Sequence, residues 1–389
     1  MNKHNEKLKK QLFEKLDRLG RSFEPFLYES NMNVVQSLTK LGYQEDDIRR
    51  IELFDWFQGV GLYGYYKMYA LTGNRKHLET IIKYFDIRIE DGLPPKNINA
   101  MAPMLTLLCL TENPHVDPSK KNVYVEICKE WANWLYEKHP RTHEGGLSHL
   151  TCEADNAQEL WDDTLFMSVL FLAKAGVVWH KPHYIDEAIY QFLLHSKYLL
   201  NKETGFWYHG WTFDGYHNFV KAQWARGNSW ITIFIPEFLD ICKDYAISQS
   251  VYRYMINILT KQLEALCKVQ DQSGLWHTLL DHKQSYVETS ASAGFTYGIF
   301  KAMNSAIIDH DQAKDKYTTC AMKATDGVLT YINEEGVLEQ VSGGTAMGKD
   351  SLDFYLNIPI EPKPYGQAMA MLACVEALDF LERNDCNDS

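Results

Sequence analysis

The chain has 389 residues, of which 46% are apolar and 23% are charged. With 39 Lys+Arg against 51 Asp+Glu, its formal net charge is −12. This composition excludes a disordered chain, and the acidic balance argues against a nucleic-acid partner, because phosphate binding needs clustered Lys and Arg.

The N-terminal residues 1–20 are predicted to form an amphipathic helix. Leucines recur at helical spacing along one side of this segment, at Leu8, Leu12, Leu16 and Leu19. The segment has no apolar core and no small-residue cleavage site, so we do not expect it to be a secretory signal.

The longest apolar stretch and the cysteines indicate the cellular environment of the chain. The longest apolar stretch, residues 165–179, is interrupted by Lys174 and is shorter than the roughly 20 residues of a membrane-spanning helix. The eight cysteines show no CxxC spacing, and several, such as Cys109 and Cys374, lie in apolar helical patterns. We therefore expect buried free thiols in a cytoplasmic protein, with no membrane partner and no metal site.

A glycine followed by an apolar residue recurs after short polar turns, at intervals of about 60 residues. The glycines are Gly92, Gly146, Gly205, Gly274 and Gly336. Helix-period segments fill the intervals and strand-like alternation is scarce, so each repeat has room for two helices. The pattern predicts an all-α fold, an (α/α)6 barrel in which six helical hairpins close into a toroid, and a single domain over residues 1–389. We expect the glycine turns to lie at one mouth of the barrel, beside a cavity; the alternative is that they only end helices.

Two adjacent carboxylates, Asp162 and Asp163, open an apolar helical segment in the stretch ELWDDTLFM. Negative charge is favoured at a helix N-terminus, so a helix cap explains one of the two. The segment that follows is apolar nearly all round, which predicts that it is buried. A carboxyl group desolvated beside a second one has a raised pKa, as a general acid requires at neutral pH.

A second cluster lies in WARGNSW, where Trp224 and Trp230 flank Arg226. A guanidinium can bind a carboxylate through two hydrogen bonds, and flat indole rings suit sugar faces. The alternative is an arginine stacked on tryptophan in a structural turn. His149 and His209 lie in the glycine turns, where a histidine is more often structural than catalytic.

Trp56 in DWFQGVGLYGYY and Asn99 in KNINAMAPML occupy comparable positions near the predicted starts of earlier helices. Taken together, these stretches resemble the unsaturated rhamnogalacturonyl hydrolases of glycoside hydrolase family 105. The resemblance covers residues 50–380 in the family's order and includes GLPPKNINAMAPMLTL, RTHEGGLSHLT, WYHGWTFDGYHNF, ETSASAGFTYGI, SGGTAMG and PYGQAMAMLA. WDDTLFM and WARGNSW are its specific motifs.

The resemblance implies an (α/α)6-barrel enzyme of pectin or rhamnogalacturonan degradation. Such enzymes remove a terminal 4,5-unsaturated uronic acid from a short oligosaccharide that a polysaccharide lyase has produced. They hydrate the C4=C5 double bond and do not displace the substituent at the anomeric carbon. This reaction needs a group that gives a proton to C4 and one that takes a proton from water, without a metal or a redox cofactor. The implied partner is a small anionic oligosaccharide.

The resemblance also assigns roles to residues of these motifs. Asp163 would give the proton to C4 and, as a carboxylate, activate the water. Asp162 would hold the shared titration of the pair in range or else cap the helix. His209 and Arg226 would line the subsite of the unsaturated uronate. The walls or stacking surfaces would be Trp56, Trp224 and Trp230, and His149 would lie near Asp163.

Asn99 departs from the pattern, because some relatives carry a second catalytic aspartate at this position. An asparagine does not ionise, so only hydrogen bonding to water or to a sugar hydroxyl is expected here. More of the acid–base chemistry would then fall on Asp163.

Two other functions stay open at this point. A sugar 2-epimerase on the same kind of toroid would use histidine acid–base chemistry, for which His149, His209 and His277 are candidates. A non-catalytic carbohydrate-binding relative would keep the aromatic cavity without turnover. No motif indicates which sugar is joined to the uronate, or whether the uronate is of galacto or gluco origin. No motif indicates the oligomeric state.

Overall fold

The structure, a computed structural model, describes residues 3–30, 32–308, 311–344 and 346–387, and most of them are helical. The helices, in chain order, are α1 (Lys3–Phe23), α2 (Met32–Lys40), α3 (Glu45–Glu52), α4 (Trp56–Thr72), α5 (Arg75–Asp91), α6 (Ala102–Glu112), α7 (Pro118–Glu137), α8 (Leu170–Val178), α9 (Pro182–Leu199), α10 (Ala225–Ile241), α11 (Gln249–Val269), α12 (Thr289–Asn304), α13 (Asp311–Thr330), α14 (Asp353–Leu356) and α15 (Pro364–Asn387). The 3-10 helices are Glu24–Leu27 and Asn99–Met101, and Leu165–Val169 is a π-helix. The described strands are β1 (Glu159–Trp161), β2 (Gly210–Thr212), β3 (Trp276–His277) and β4 (Val287–Glu288).

The chain divides into two compact units. The first, called here the terminal unit, consists of Met1–Phe23, Tyr198–Gly210 and Asn218–Ser389. The second, called the central unit, consists of Glu24–Lys197 and Trp211–His217.

The central unit contains three helical hairpins, in which α4 pairs with α5, α6 with α7 and α8 with α9. The first helix of each hairpin is buried on most of its surface, whereas the second has an exposed face. All residues from Ala102 to Leu110 of α6 are buried, and α6 contacts both α4 and α8. A helix that is apolar all round gains most when it is covered on every side, which explains this arrangement.

The terminal unit also contains three helical hairpins, in which α10 pairs with α11, α12 with α13 and α15 with α1. Every residue of α10 from Ala225 to Leu239 is buried. The helix α1 packs on α15 through the four leucines of its apolar side, and Lys9 forms an ion pair with Asp385 across this contact. Residues 1 and 2 of the predicted N-terminal helix lie outside the described residues.

The second glycine turn differs in detail from the repeat in the sequence. Its left-handed residue is Gly145, with a φ of 76°, whereas Gly146 has no positive φ. Gly146 is instead packed closely, since a Cβ there would lie 2.5 Å from Leu160 Cδ2. The two adjacent glycines therefore meet two different demands, backbone conformation and close packing.

Two glycine turns of the terminal unit dock on neighbouring helices. Gly274 and Gly336 have φ angles of 89° and 80°. A Cβ on Gly274 would lie 2.2 Å from the carbonyl oxygen of Lys323 in α13, and one on Gly336 would lie 2.3 Å from that of Arg18 in α1. These glycines therefore serve helix packing as well as the turn itself.

Replacing Gly274 by Ala is expected to lower the free energy of unfolding by more than about 2 kcal/mol, because the left-handed conformation alone costs roughly 1–2 kcal/mol and the new Cβ would overlap the main chain of α13. Gly42→Ala is the matched control, since Gly42 has a similar φ of 87° and nothing within 4 Å of the Cβ position. Denaturant unfolding measures both variants. Equal losses would contradict the packing role of Gly274.

No helix within the described ranges is long and apolar enough to cross a membrane. Among the cysteines whose side chains the structure describes, all are free thiols, and the buried ones are Cys109, Cys128, Cys242, Cys320 and Cys374. Burial raises the pKa of the Cys242 and Cys374 thiols to about 12, so these thiols are unreactive.

Candidate active site

The candidate residues lie at the N-terminal ends of the buried helices. In the central unit, Trp56 is the first residue of α4, Asn99 begins the 3-10 helix before α6, and Asp162 and Asp163 precede the π-helix that continues as α8. In the terminal unit, Trp224 is the N-cap residue of α10. The first N–H groups of a helix have no helical partner and attract negative charge, so such ends favour binding of polar groups.

Two contacts join the three helix starts of the central unit. The Ser168 hydroxyl in the π-helix donates to the carbonyl oxygen of Ile98 at 3.0 Å. Gly59 in α4 lies so close to α6 that a Cβ would be 2.6 Å from the carbonyl carbon of Ala102. The starts of α4, α6 and α8 are therefore neighbours.

Asp162 and Asp163 differ in exposure. Asp162 has no exposed surface, whereas Asp163 is partly exposed. Burial, followed by the adjacent carboxyl group of Asp163, raises the pKa of Asp162 well above its ordinary value. The sequence pattern favours a desolvated carboxyl at Asp163. In the structure Asp162 is the more buried of the two, whereas Asp163 is partly exposed with its Oδ2 atom buried.

Thr164 separates the aspartate pair from the π-helix Leu165–Val169. The sequence predicts an α-helix here, in which Asp163 aligns with Phe166, Met167 and Leu170. In the structure these three apolar residues are buried, whereas Asp163 keeps exposed surface. Such π-helical turns are rare and frequently mark functional sites.

His149 lies beside the aspartate pair. Its Nδ1 is 2.8 Å from Oγ1 of Thr164, the residue after Asp163. Its ring stacks on that of Trp161, with centroids 4.3 Å apart and planes at 4°, and Trp161 Nε1 donates to Glu159 Oε2 at 2.9 Å. These contacts hold the main chain on both sides of the pair, so His149 is placed to position it.

Asn99 and Asn97 have different environments in the loop before α6. Asn97 is buried, and its Oδ1 accepts the N–H groups of Asn99 at 2.9 Å and Ala100 at 3.1 Å. Its amide also donates to Cys152 Sγ at 3.0 Å. The sequence reasoning missed Asn97, although an asparagine two residues before a helical turn is a common capping signal. Asn99 is the partly exposed residue of the two.

Asp55, a second residue that the sequence reasoning missed, is the N-cap of α4 directly before Trp56. It forms a capping box with Gln58, whose Oε1 accepts the Asp55 N–H at 3.0 Å. Burial raises the pKa of Asp55 to about 7. The spacing of Asp55 and Gln58 was the signal that could have identified the cap.

In the terminal unit, Arg226 lies between two aromatic rings. Its guanidinium carbon is 4.5 Å from the centroid of the Trp224 ring and 4.6 Å from that of Tyr365. Nη1 donates to the carbonyl oxygen of Ser342 at 2.9 Å, and Nη2 donates to that of Gly344. Arg226 therefore ties the start of α10 to the segment 342–344.

These contacts bear on the role of Arg226. The residue is only 1% exposed, and Nη1 also donates to Ser290 Oγ at 3.2 Å in the first turn of α12. Since both Nη atoms already have acceptors inside the protein, the geometry favours a positioning role over direct binding of the uronate. Binding of the uronate by Arg226 stays a prediction.

His209 and the tryptophans of α10 are also buried in the terminal unit. His209 Nδ1 is 2.8 Å from the Tyr355 hydroxyl, and its ring centroid is 4.4 Å from that of Trp224. Trp224 and Trp230 are each 1% exposed, whereas Trp56 in the central unit is 8% exposed. A role in stacking on a sugar therefore has less support for Trp224 and Trp230, which are covered by protein, than for Trp56.

Replacing Asp162 by Asn is expected to remove a pH dependence of stability. The folded state holds the Asp162 proton more tightly than the unfolded state, because the folded pKa is raised above 3.8. The contribution of this group to the free energy of unfolding is therefore complete below pH 3.8 and declines as the pH rises. Urea unfolding at a series of pH values measures the slope of the free energy of unfolding against pH. Asp155→Asn, at an exposed aspartate, is the control. An unchanged slope in the Asp162 variant would contradict a raised pKa of Asp162 in the folded state.

Comparisons with known proteins extend these observations. A sequence profile described as Glycosyl Hydrolase Family 88 matches residues 29–381. The chain belongs to this family. Family relatives include the unsaturated rhamnogalacturonyl hydrolase YesR of Bacillus subtilis (strain 168), which is 30% identical over 358 residues, 91% of this chain and 97% of the relative.

Similar solved structures agree with the fold. A possible member of the GH105 family from Salmonella enterica serovar Paratyphi A is 42% identical, with a TM-score of 0.84 and coverage of 97% of this chain and 95% of the other. Unsaturated glucuronyl hydrolase from Bacillus sp. GL1 is 16% identical, with a TM-score of 0.68 and 97% coverage of both chains. The predicted (α/α)6 barrel and the resemblance to family 105 are confirmed, and the chain is a glycoside hydrolase.

Proposed function

We propose that this glycoside hydrolase removes a terminal 4,5-unsaturated uronic acid from short oligosaccharides by hydrating the C4=C5 double bond. The partly exposed Asp163 beside the buried Asp162 carries the proposal, because burial and the adjacent carboxyl raise the pKa of Asp162 and help the pair to hold a proton. The similarity to an unsaturated rhamnogalacturonyl hydrolase over nearly the whole of both chains supports this substrate class.

The reaction follows from the enol ether character of the substrate. The ring oxygen is bonded to C5, so a proton added to C4 leaves positive charge at C5 that the ring oxygen shares. Water adds to C5 and loses a proton, which gives a hemiketal. Ring opening leaves a ketone at C5 and a hemiacetal at C1, and collapse of the hemiacetal to an aldehyde releases the remaining oligosaccharide as an alcohol. One water molecule is consumed.

The aspartate pair supplies both proton transfers. Asp163 gives its proton to C4 and, as a carboxylate, accepts a proton from the water that adds to C5. Asp162 shares a proton with Asp163, because ionisation of one of two adjacent carboxyl groups disfavours ionisation of the other. The shared proton lies on Asp163 when it is given to C4, and it is replaced by the proton taken from water. The proton balance of the pair is restored at the end of each cycle.

Other residues of the central unit have supporting roles in this proposal. His149 positions the pair through Thr164. The partly exposed Asn99 is a candidate donor to the water or to a sugar hydroxyl, and Trp56 is a candidate wall of the sugar site. The free thiols support a cytoplasmic location for the reaction.

Loss of the ultraviolet absorbance of the double bond, followed across a panel of lyase-generated disaccharides, tests the activity. Reaction in water labelled with heavy oxygen, followed by immediate borohydride reduction, tests the mechanism. Hydration places the label on C5, whereas displacement at the anomeric carbon places it on C1. Label on C1, or a panel without any turnover, would overturn the proposal. Turnover of saturated N-acylhexosamines would instead support an epimerase.

A further inference from the structure

An aromatic turn lies next to the strand that leads into the aspartate pair. Thr212 and His217 form an isolated β-bridge that closes a turn made of Phe213, Asp214, Gly215 and Tyr216. The Thr212 N–H donates to the His217 carbonyl oxygen at 3.0 Å, and the His217 N–H donates back at 3.3 Å. The turn therefore has a defined conformation.

Tyr216 in this turn is exposed and conformationally strained. Its side chain is 61% exposed, and its φ of 56° lies in the left-handed region that residues other than glycine rarely adopt. Strain of this kind persists only where the surrounding structure or a function maintains it, and it concentrates at ligand-binding sites. The Tyr216 ring also lies next to the partly exposed ring of Trp211, and adjoining exposed rings of this kind can mark a ligand-binding site.

Neighbouring rings hold Tyr216 in place. Trp211, Phe213 and Tyr216 pack edge to face in all three pairings, with centroids 5.9–6.3 Å apart. Phe213 is 2% exposed and anchors the group, whereas Trp211 is partly exposed and Tyr216 is exposed. The two outer rings therefore present surface on a rigid base.

The turn lies near Asp163 along a chain of contacts. The Phe213 N–H donates to the carbonyl oxygen of Gln158 at 2.9 Å, and β2, whose last two residues belong to the central unit, pairs with β1. Asp163 follows Gln158 by five residues, which at about 3.3 Å per extended residue places the two within about 17 Å. The main chain beside the turn is therefore no farther from Asp163 than the length of a few sugar units.

We propose that Trp211 and Tyr216, called here the aromatic platform, bind a sugar ring of the substrate that lies beyond the cleaved bond. Sugars have an apolar face of C–H groups and a polar rim, and the amphipathic rings of Tyr and Trp match both. The proposal rests on the proposed function for the identity of the substrate. The platform would give the enzyme a preference for oligosaccharides longer than a disaccharide.

A chain-length series of unsaturated oligosaccharides tests the platform. Tyr216→Ala is expected to raise KM for the tri- and tetrasaccharides by about three- to tenfold and to leave kcat unchanged. KM for the disaccharide is expected to stay at the parent value, because a disaccharide does not reach the platform. Tyr216→Phe keeps the ring and should retain the parent KM values. Tyr254→Ala, at a 39% exposed tyrosine of α11, is the matched control and should change neither value.

A KM for the longer substrates that is unchanged in Tyr216→Ala would overturn the platform, as would an equal rise for the disaccharide. Failure of the proposed function gives a different result, since the parent protein would then turn over no member of the series. In that case, calorimetry compares the affinities of the parent and of Tyr216→Ala for the same tetrasaccharide, and this comparison tests the platform without turnover. Equal affinities, or no binding by the parent, would overturn the platform as well.

Discussion

Replacing Asp163 by Asn is expected to lower kcat by about 10²–10⁴-fold, the usual contribution of a positioned general acid–base group. Asparagine has nearly the same shape but neither gives a proton to C4 nor accepts one from water. Asp163 is partly exposed, and the stacked rings of His149 and Trp161 hold the main chain just before it. The substitution should therefore leave the fold intact. The absorbance assay measures kcat, and the thermal unfolding midpoint shows whether the fold is intact.

Asp162→Asn is the matched control for this prediction, because it changes the adjacent carboxyl that has no exposed surface. The variant should keep measurable turnover, since the amide can still donate a hydrogen bond to Asp163. The alkaline limb of its pH–rate profile should move to lower pH, because the second carboxyl no longer helps to retain the proton. Near-parental activity of Asp163→Asn, or total loss only in Asp162→Asn, would show that the roles of the two residues are reversed.

Replacing Arg226 by Ala is expected to lower the free energy of unfolding by about 2–5 kcal/mol, because it removes a buried, packed side chain together with its hydrogen bonds. These bonds run to the carbonyl oxygens of Ser342 and Gly344 and to the hydroxyl of Ser290. Loss of the guanidinium also removes the group packed between the rings of Trp224 and Tyr365. Denaturant unfolding measures the change.

Arg226→Lys separates the two roles considered for this residue. A lysine keeps the charge but not the planar fork that reaches both carbonyl oxygens, so a positioning role predicts a substantial loss of stability in this variant too. Direct binding of the uronate predicts a different pattern, in which KM rises in both variants while the unfolding midpoint stays near that of the parent. That second pattern would overturn the positioning role.

Much of the fold was already determined by local features of the sequence. The apolar residues of α10 surround the helix, whereas those of α1 occupy one side, and the structure buries the first on all sides and the second on one. Spacing of the glycine turns predicted two helices per repeat, and the described residues contain three such hairpins in each unit. These features depend on hydrophobic periodicity and turn chemistry, which a single segment carries by itself.

The environment of the candidate residues was decided only by the tertiary structure. The sequence placed two aspartates side by side, but burial by neighbouring segments raises the pKa of Asp162 and leaves Asp163 partly exposed. WARGNSW showed an arginine between tryptophans, whereas its hydrogen-bond acceptors lie in the distant segment 342–344. Desolvation and hydrogen bonding act between atoms that the fold brings together, so a pKa or a side-chain partner is a property of the packed chain and not of a motif.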